Sequence, residues 1–121
     1  MAFPLAAALA MILTASATEP SPGFDEGVVP HEVLQAAAEA RDLPLGERME
    51  RISRPMLGKS YLVDAIGEGT EPDVDPPARY DAYDCLTFVE EVLALAMPAD
   101  PRTAPMIRNQ LRYTGGEPGY S

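Results

Sequence analysis

The sequence predicts a mainly helical fold with one small domain. Apolar residues recur at helical spacing in several stretches, whereas the last thirty residues contain no run rich in Val, Ile, Thr and aromatic residues, which strands favour. A chain of 121 residues is long enough for one small domain at most. Prolines and glycines separate the helical stretches, so we expect short helices joined by loops.

Two helices are predicted in the first half of the chain. The first covers residues 30–41, because Pro30 suits the first turn of a helix and Pro44 interrupts the pattern. The second covers residues 45–54 and is ended by Pro55. Apolar positions that share one side are Val33, Leu34, Ala37 and Ala38 in the first helix, and Leu45, Met49, Ile52 and Met56 in the second.

The third predicted helix begins at Cys85, the only cysteine of the chain, and stops before Pro98. Asp84 is a good N-cap. At 100° per residue the apolar side chains of this helix sweep one broad arc, and Glu90 and Glu91 lie outside it. We therefore expect both glutamates to face solvent. The apolar positions at helical spacing are Cys85, Phe88, Val89, Val92 and Ala96.

A loop and a fourth helix flank the cysteine helix. Residues 67–77 are rich in glycine, proline and acidic residues, which is typical of a loop. The fourth helix is predicted to start between residues 100 and 105 and to carry Ile107 and Leu111. Gly115 and Gly116 end it, since glycine is common just past a helix C-terminus.

The N-terminus has the features of a secretory signal peptide. Residues 5–13 form an apolar run of nine residues, and a membrane-spanning helix needs about 20. Ala15 and Ala17 supply the small-residue pattern that precedes a signal peptidase site. We expect a signal peptide over residues 1–17, a linker over residues 18–29, and export to the periplasm or the cell exterior. The alternative is an apolar segment that docks within the fold.

The charge balance argues against a nucleic-acid partner. The chain has 19 acidic and 9 basic residues, a net charge of −10, and no basic run, whereas binding phosphates requires clustered Lys and Arg. One histidine and one cysteine give no ligand spacing for a metal, so we expect no metal and no other cofactor. After signal cleavage we expect no integral membrane segment, and the oligomeric state is left open.

Two interpretations of Cys85 stay open on local pattern alone. The partial positive charge of a helix N-terminus stabilises a thiolate, which is the form that attacks carbonyl carbons, so Cys85 is a candidate nucleophile. Free cysteine is also among the most buried residue types, so the same thiol could simply pack as a small apolar group. His31 is the only histidine, but it precedes the cysteine by two helices, and we expect it to lie at the surface.

Three sequence words, in this order, resemble the N-acetylmuramoyl-L-alanine amidase-like family, a branch of the NlpC-type papain-like cysteine hydrolases of bacterial cell walls. The words are Leu57-Gly58-Lys59-Ser60-Tyr61, then Tyr83-Asp84-Cys85-Leu86-Thr87-Phe88-Val89-Glu90, then Ile107-Arg108-Asn109-Gln110-Leu111-Arg112-Tyr113 followed by Gly115-Gly116. The resemblance spans residues 30–121. One departure is Lys59-Ser60, where the family more often has a small residue and a proline.

The resemblance implies an α+β, papain-like fold, of which residues 30–121 are mainly the helical N-terminal part without the catalytic sheet. It implies that Cys85 is the nucleophile, that a histidine on that sheet is the base, and that Tyr61 contacts substrate. The implied substrate is peptidoglycan or a muropeptide, cut at the amide between N-acetylmuramic acid and L-alanine. The 121 residues alone would then be inactive. The alternatives are a stem-peptide endopeptidase and a non-catalytic exported helical fragment.

Overall fold

A computed structural model describes residues 28–118, which form a mostly helical fold with one small sheet. The predicted signal peptide and residues 18–27 of the predicted linker lie outside the described residues. The helices are α1 (His31–Ala40), α2 (Leu45–Ser53), α3 (Cys85–Ala96) and α4 (Ala104–Arg112). The strands are β1 (Ser60–Tyr61) and β2 (Ala82–Tyr83). Single 3-10 turns cover Arg54–Met56, Pro101–Thr103 and Thr114–Gly116.

All four predicted helices are confirmed, with small differences at their ends. Pro30 is the N-cap residue of α1 and Pro44 that of α2, because proline fits the non-helical backbone that precedes a helix. One predicted core position of α1 is wrong, and one core position was missed. Ala38 is exposed while Ala40 is fully buried, since Ala40 continues the stripe of Val33 and Ala37.

The core lies between α3 and the helices around it. α2 packs against both α1 and α3, and α4 packs against α3. Leu45 begins α2 at its exposed end, so only the later apolar positions of that helix reach the core. The largest fully buried side chains are Val33, Ile52, Met56 and Leu95.

The sheet joins two short segments that the sequence analysis did not identify as strands. β1 and β2 are parallel, with Ser60 opposite Ala82 and Tyr61 opposite Tyr83. The Leu62 N–H also donates to the Tyr83 carbonyl oxygen at 3.0 Å. Two residues per strand are too few to show alternation in the sequence, and only the chain path brings them together. The α+β expectation therefore holds as a mostly helical structure with a small sheet.

Residues 67–77 form a loop, as predicted. The Gly67 N–H donates to the Pro76 carbonyl oxygen at 3.1 Å, and the Gly69 N–H donates to the Asp75 carbonyl oxygen at 2.8 Å. Gly69 has a φ of 79°, a left-handed conformation that favours glycine. The loop, which lies between β1 and β2 in the sequence, is therefore held by hydrogen bonds within its own backbone.

The prediction that Glu91 faces solvent is wrong. Glu91 is 2% exposed, and its carboxylate accepts two hydrogen bonds from Arg108 of α4, at 2.8 Å from Nε and 2.7 Å from Nη2. The Tyr80 hydroxyl also donates to this carboxylate. Phe88 lies three positions before Glu91 and Leu95 four positions after, so Glu91 lies on a packed side of α3. A buried carboxylate is tolerated here because Arg108 neutralises it.

The prediction that Glu90 faces solvent is also wrong, because its side chain is 15% exposed and forms a second ion pair between α3 and α4. Arg112 donates from Nε to the Glu90 carboxylate at 2.7 Å and from Nη1 to the Pro77 carbonyl oxygen at 2.6 Å. Tyr113 donates to the Glu68 carboxylate at 2.8 Å. The Arg-Tyr pair therefore connects α4 to the cysteine helix and to the loop over residues 67–77.

Within residues 28–118, no helix is both long enough and apolar enough to cross a membrane.

Candidate functional site

Asp84 sets the position of Cys85 by starting α3. The Thr87 N–H donates to the Asp84 carboxylate at 2.8 Å, and the Asp84 N–H donates to the Thr87 hydroxyl at 3.0 Å. This reciprocal pair is a capping box, which satisfies two backbone donors at the start of the helix. These hydrogen bonds from Thr87 lower the pKa of Asp84, despite partial desolvation, so the carboxylate is ionised at neutral pH. Cys85 is held as the first residue of α3.

Cys85 is exposed and faces an open cleft. The free thiol lines a cavity of about 480 Å³ on the side of α3 that meets β1 and β2. The interpretation of Cys85 as a buried packing residue therefore does not describe this structure. The cleft is lined by Met56, Leu57, Gly58, Lys59, Ser60, Tyr61, Tyr83, Asp84, Cys85, Phe88 and Val89.

The two-stranded sheet brings Tyr61 to the cysteine. Tyr61 pairs with Tyr83 in the parallel register, and Tyr83 is two residues before Cys85. Tyr61 is 69% exposed and lines the same cleft as the thiol. Both residues that the sequence analysis singled out for the site are therefore near one another, although 23 residues separate them along the chain. The role of Tyr61 toward a substrate stays a prediction.

Aromatic rings support the floor of the cleft. The Tyr83 ring makes edge-to-face contacts with Tyr80, at a centroid distance of 6.2 Å, and with Phe88, at 5.4 Å. Tyr80 is hydrogen-bonded to Glu91 and is not among the residues that line the cleft. The buried Glu91–Arg108 pair is thus linked through two tyrosine rings to the strand that leads into Cys85.

The Tyr83 hydroxyl is buried, and no hydrogen-bond partner for it exists among residues 28–118. Burial raises the pKa of Tyr83, and the negative charges of Glu91 and Asp81 raise it further. The same causes raise the pKa of Tyr80, for which burial comes first and Glu91 second. Both phenols therefore stay protonated at any pH at which the protein would act.

Of the residues that the structure describes in the cleft lining, Lys59 and Asp84 are the charged ones. The sequence analysis identified Lys59 only as a departure from the family words and assigned it no role. Its position immediately before β1 was the signal that could have drawn attention to it, but the strand itself was not predicted. The remaining lining is mostly apolar, with Leu57, Tyr61 and Val89 all substantially exposed.

His31 is exposed in the first turn of α1, as predicted, and is not among the residues that line the cleft. Within residues 28–118, no three His, Cys, Asp or Glu side chains are grouped in a way that could hold a metal ion. The cleft thus combines an exposed thiol at a helix N-terminus, apolar walls and the cation of Lys59. This combination can bind an acyl compound and present a sulfur nucleophile to it.

The fold and the cleft define a small, mostly helical α+β protein whose candidate site lies at the N-terminus of a capped helix. A family model described as AmiA-like, N-acetylmuramoyl-L-alanine amidase-like, matches residues 51–121. The match covers more than half of the chain, so the protein belongs to this family. Membership confirms the predicted family resemblance and relates the chain to peptidoglycan amidases, which are hydrolases. No curated protein and no solved structure matches it.

Proposed function

We propose that the complete enzyme is an exported cysteine amidase that hydrolyses the amide between N-acetylmuramic acid and L-alanine in peptidoglycan fragments. The observation that carries the proposal is the exposed Cys85 thiol at the start of a capped helix, beside an apolar cleft and inside the segment matched by the family. An NlpC-type, papain-like architecture is part of the proposal. It is supported by the cysteine at a helix start and by the order of the three sequence words.

The proposed reaction passes through a thioester. The Cys85 thiolate adds to the amide carbonyl carbon, and the carbonyl oxygen takes up the negative charge. The first N–H groups of a helix have no intrahelical partner, so the Cys85 N–H can donate to this oxygen. A histidine takes the thiol proton and passes it to the L-alanine nitrogen as the carbon–nitrogen bond breaks. Water then hydrolyses the thioester and the thiol is restored.

The histidine of this mechanism is proposed to face Cys85 from a catalytic sheet in the complete enzyme. His31, the only histidine of this sequence, does not line the cleft. Residues 1–121 alone are therefore expected to bind substrate weakly and not to turn it over. Tyr61 is proposed to orient the substrate, because its exposed ring borders the cleft beside the thiol.

Export is the second part of the proposal. It is supported by the apolar run over residues 5–13 and by Ala15 and Ala17, all of which lie outside the described residues. Peptidoglycan is outside the cytoplasmic membrane, so an enzyme that acts on it must reach that compartment or act on fragments that are taken up. The acidic net charge of −10 does not hinder such an exported protein.

The test compares muropeptide hydrolysis by the complete enzyme and by its Cys85→Ser and His31→Asn variants. We expect Cys85→Ser to lose activity by several orders of magnitude with unchanged circular dichroism, because a serine hydroxyl ionises far less readily than a thiol and is a much weaker nucleophile in a site built for cysteine. His31→Asn should keep its activity. Full activity of Cys85→Ser would overturn the assignment of the nucleophile, and loss of activity in a folded His31→Asn variant would overturn the assignment of the base.

The products of the reaction show which bond is cut. Mass spectrometry should find N-acetylmuramic acid and a peptide with a new amino group on L-alanine. A new amino group inside the stem peptide would instead identify an endopeptidase. No cleavage of any muropeptide by the complete protein would favour the non-catalytic alternative.

A further inference from the structure

Lys59 is the only lysine of the chain and lines the cleft beside Cys85. It follows Gly58, whose φ of 83° marks a turn, and precedes β1. Across residues 28–118 Lys59 takes part in no ion pair, whereas Arg79, Arg108 and Arg112 are each bonded to a carboxylate. The Lys59 ammonium thus lines the cleft without an ion-pair partner in the part of the chain that the structure describes, and it is available to a ligand.

Asp84, the acidic residue in the described part of the cleft lining, forms no ion pair with Lys59. The Asp84 carboxylate is bonded to the backbone of α3 as its cap, and no ion pair joins it to Lys59. The chain as a whole carries a net charge of −10, so its general surface repels anions. Among the residues that the structure describes in the lining, Lys59 is the only cationic side chain, so it is the side chain that can attract an anion there.

The rest of the lining is suited to aliphatic groups. Met56 is buried at the base of the cleft, and Leu57 and Val89 expose apolar surface to it. A ligand that contacts both Lys59 and these apolar side chains would have a carboxylate a short distance from a small apolar group. Stem peptides of peptidoglycan have this chemistry, because alanine methyl groups alternate with residues that carry free carboxylates.

We propose that Lys59 is a specificity-determining residue that binds a carboxylate of the peptide part of the substrate while the apolar walls hold the alanine methyl group. The inference rests on the proposed function for the identity of the substrate, but not for the presence of an anion subsite beside Cys85. Substrates whose carboxylates are amidated would lose this contact and bind more weakly.

The first experiment measures alkylation of Cys85 by iodoacetate and by iodoacetamide. These reagents have the same reactive carbon, but only iodoacetate is negatively charged, so the ratio of their rates reports the local charge. Lys59→Met should lower the ratio of iodoacetate to iodoacetamide rates about threefold, and Lys59→Glu should lower it further, since a single exposed charge changes the local attraction of an anion only modestly. Salt should reduce the difference, because it screens exposed charges.

Two control variants separate charge from structure. Lys59→Arg keeps the charge and should keep the ratio. Arg41→Met removes the same charge from the exposed end of α1, away from the cleft lining, and should leave the ratio unchanged. A ratio that is the same in the original protein, Lys59→Met and Lys59→Glu would overturn the proposal, and so would an equal fall in Arg41→Met.

The second experiment measures KM and kcat of the complete enzyme for muropeptides with free carboxylates and for their amidated forms. Lys59→Met should raise KM several-fold for the free acid and leave KM for the amidated form unchanged, with little change in kcat. Equal KM changes for both substrates would overturn the specificity role. A lowered alkylation ratio together with no turnover of any muropeptide by the original enzyme would support the anion subsite and reject the proposed function.

Discussion

Two charged side chains that pair with each other, Glu91 and Arg108, are buried in this fold. Glu91 and Arg108 form a two-bond ion pair whose side chains are 3% and 6% exposed, and the Tyr80 hydroxyl donates to the same carboxylate. Burial alone acts to lower the pKa of Arg108, but the hydrogen bonds and charge of Glu91 outweigh it and raise that pKa. Each of the two charges is tolerated in the core only while the other is present, because either charge alone would be buried without compensation.

Removing one partner of this pair should destabilise the protein strongly. We expect Arg108→Met to lower the free energy of unfolding by about 3–5 kcal/mol, the usual cost of leaving one buried charge uncompensated. Replacing both Glu91 and Arg108 by methionine should recover a large part of that loss. Urea unfolding measures both effects.

The matched control is Arg54→Met, which removes an exposed pair with Glu50. Exposed ion pairs contribute about 0–1 kcal/mol, so this variant should unfold at nearly the original urea concentration. If Arg54→Met and Arg108→Met were equally destabilising, the buried pair would not have the role described.

At the scale of single elements, α3 depends on its first turn. Its capping box holds Asp84 and Thr87 together, and the exposed thiol follows directly after the cap. The apolar arc of this helix is divided along its length. Val92 and Leu95 are buried in the core, whereas Cys85 and Val89 are exposed and line the cleft. The N-terminal half of α3 therefore contributes residues to the cleft, and its C-terminal half contributes residues to the core.

The cap should make stability depend on pH in the acidic range. The pKa of Asp84 is lower in the folded protein than the value of about 3.9 in an unfolded chain. Its contribution is thus fully present above about pH 4 and is lost as the pH falls through the folded pKa. We expect Asp84→Ala to lower the free energy of unfolding at pH 7 by about 0.5–2 kcal/mol, and by less at pH 3.

Thermal unfolding at the two pH values measures this difference. Asp42→Ala is the control, because Asp42 is exposed in the turn after α1 and caps no helix. Its effect should be small and the same at both pH values. A loss in Asp84→Ala that does not diminish at pH 3 would show that the charge of the cap does not stabilise α3.

At the scale of the whole molecule, the net charge would be the same before and after removal of the proposed signal peptide. Residues 1–17 contain no charged side chain, so removal of the proposed signal peptide would leave the net charge at −10. Like charges on a small fold favour solubility and oppose self-association. Some of the exposed apolar residues, Leu57, Tyr61 and Val89, line the cleft, and others, such as Val74 and Met106, lie elsewhere on the surface.

The proposed export makes a prediction about the mature N-terminus. Mass spectrometry of the periplasmic or secreted fraction should find a chain that starts at or near Thr18, because small residues at Ala15 and Ala17 precede the expected cleavage site. Ala17→Arg should block cleavage there and leave a longer chain. Recovery of the protein from the cytoplasm with Met1 still attached would contradict export.

Local patterns in the sequence were sufficient for the helices and for the position of Cys85. Apolar spacing, prolines and an N-cap residue act within one or two turns, so they predicted four helices and the start of α3 at the cysteine. Order and spacing of the three words also predicted the family that the comparison confirmed.

Tertiary structure alone decided which distant residues share the site and which charges are buried. Tyr61 reaches Cys85 because β1 pairs with β2 across the loop between them, and two-residue strands leave no periodic signal in the sequence. Lys59 lines the cleft for the same reason. The burial of Glu91 depends on Arg108 of another helix, and no local pattern on α3 records a partner 17 residues away. Helix formation is a short-range property, whereas pairing and burial depend on the path of the whole chain.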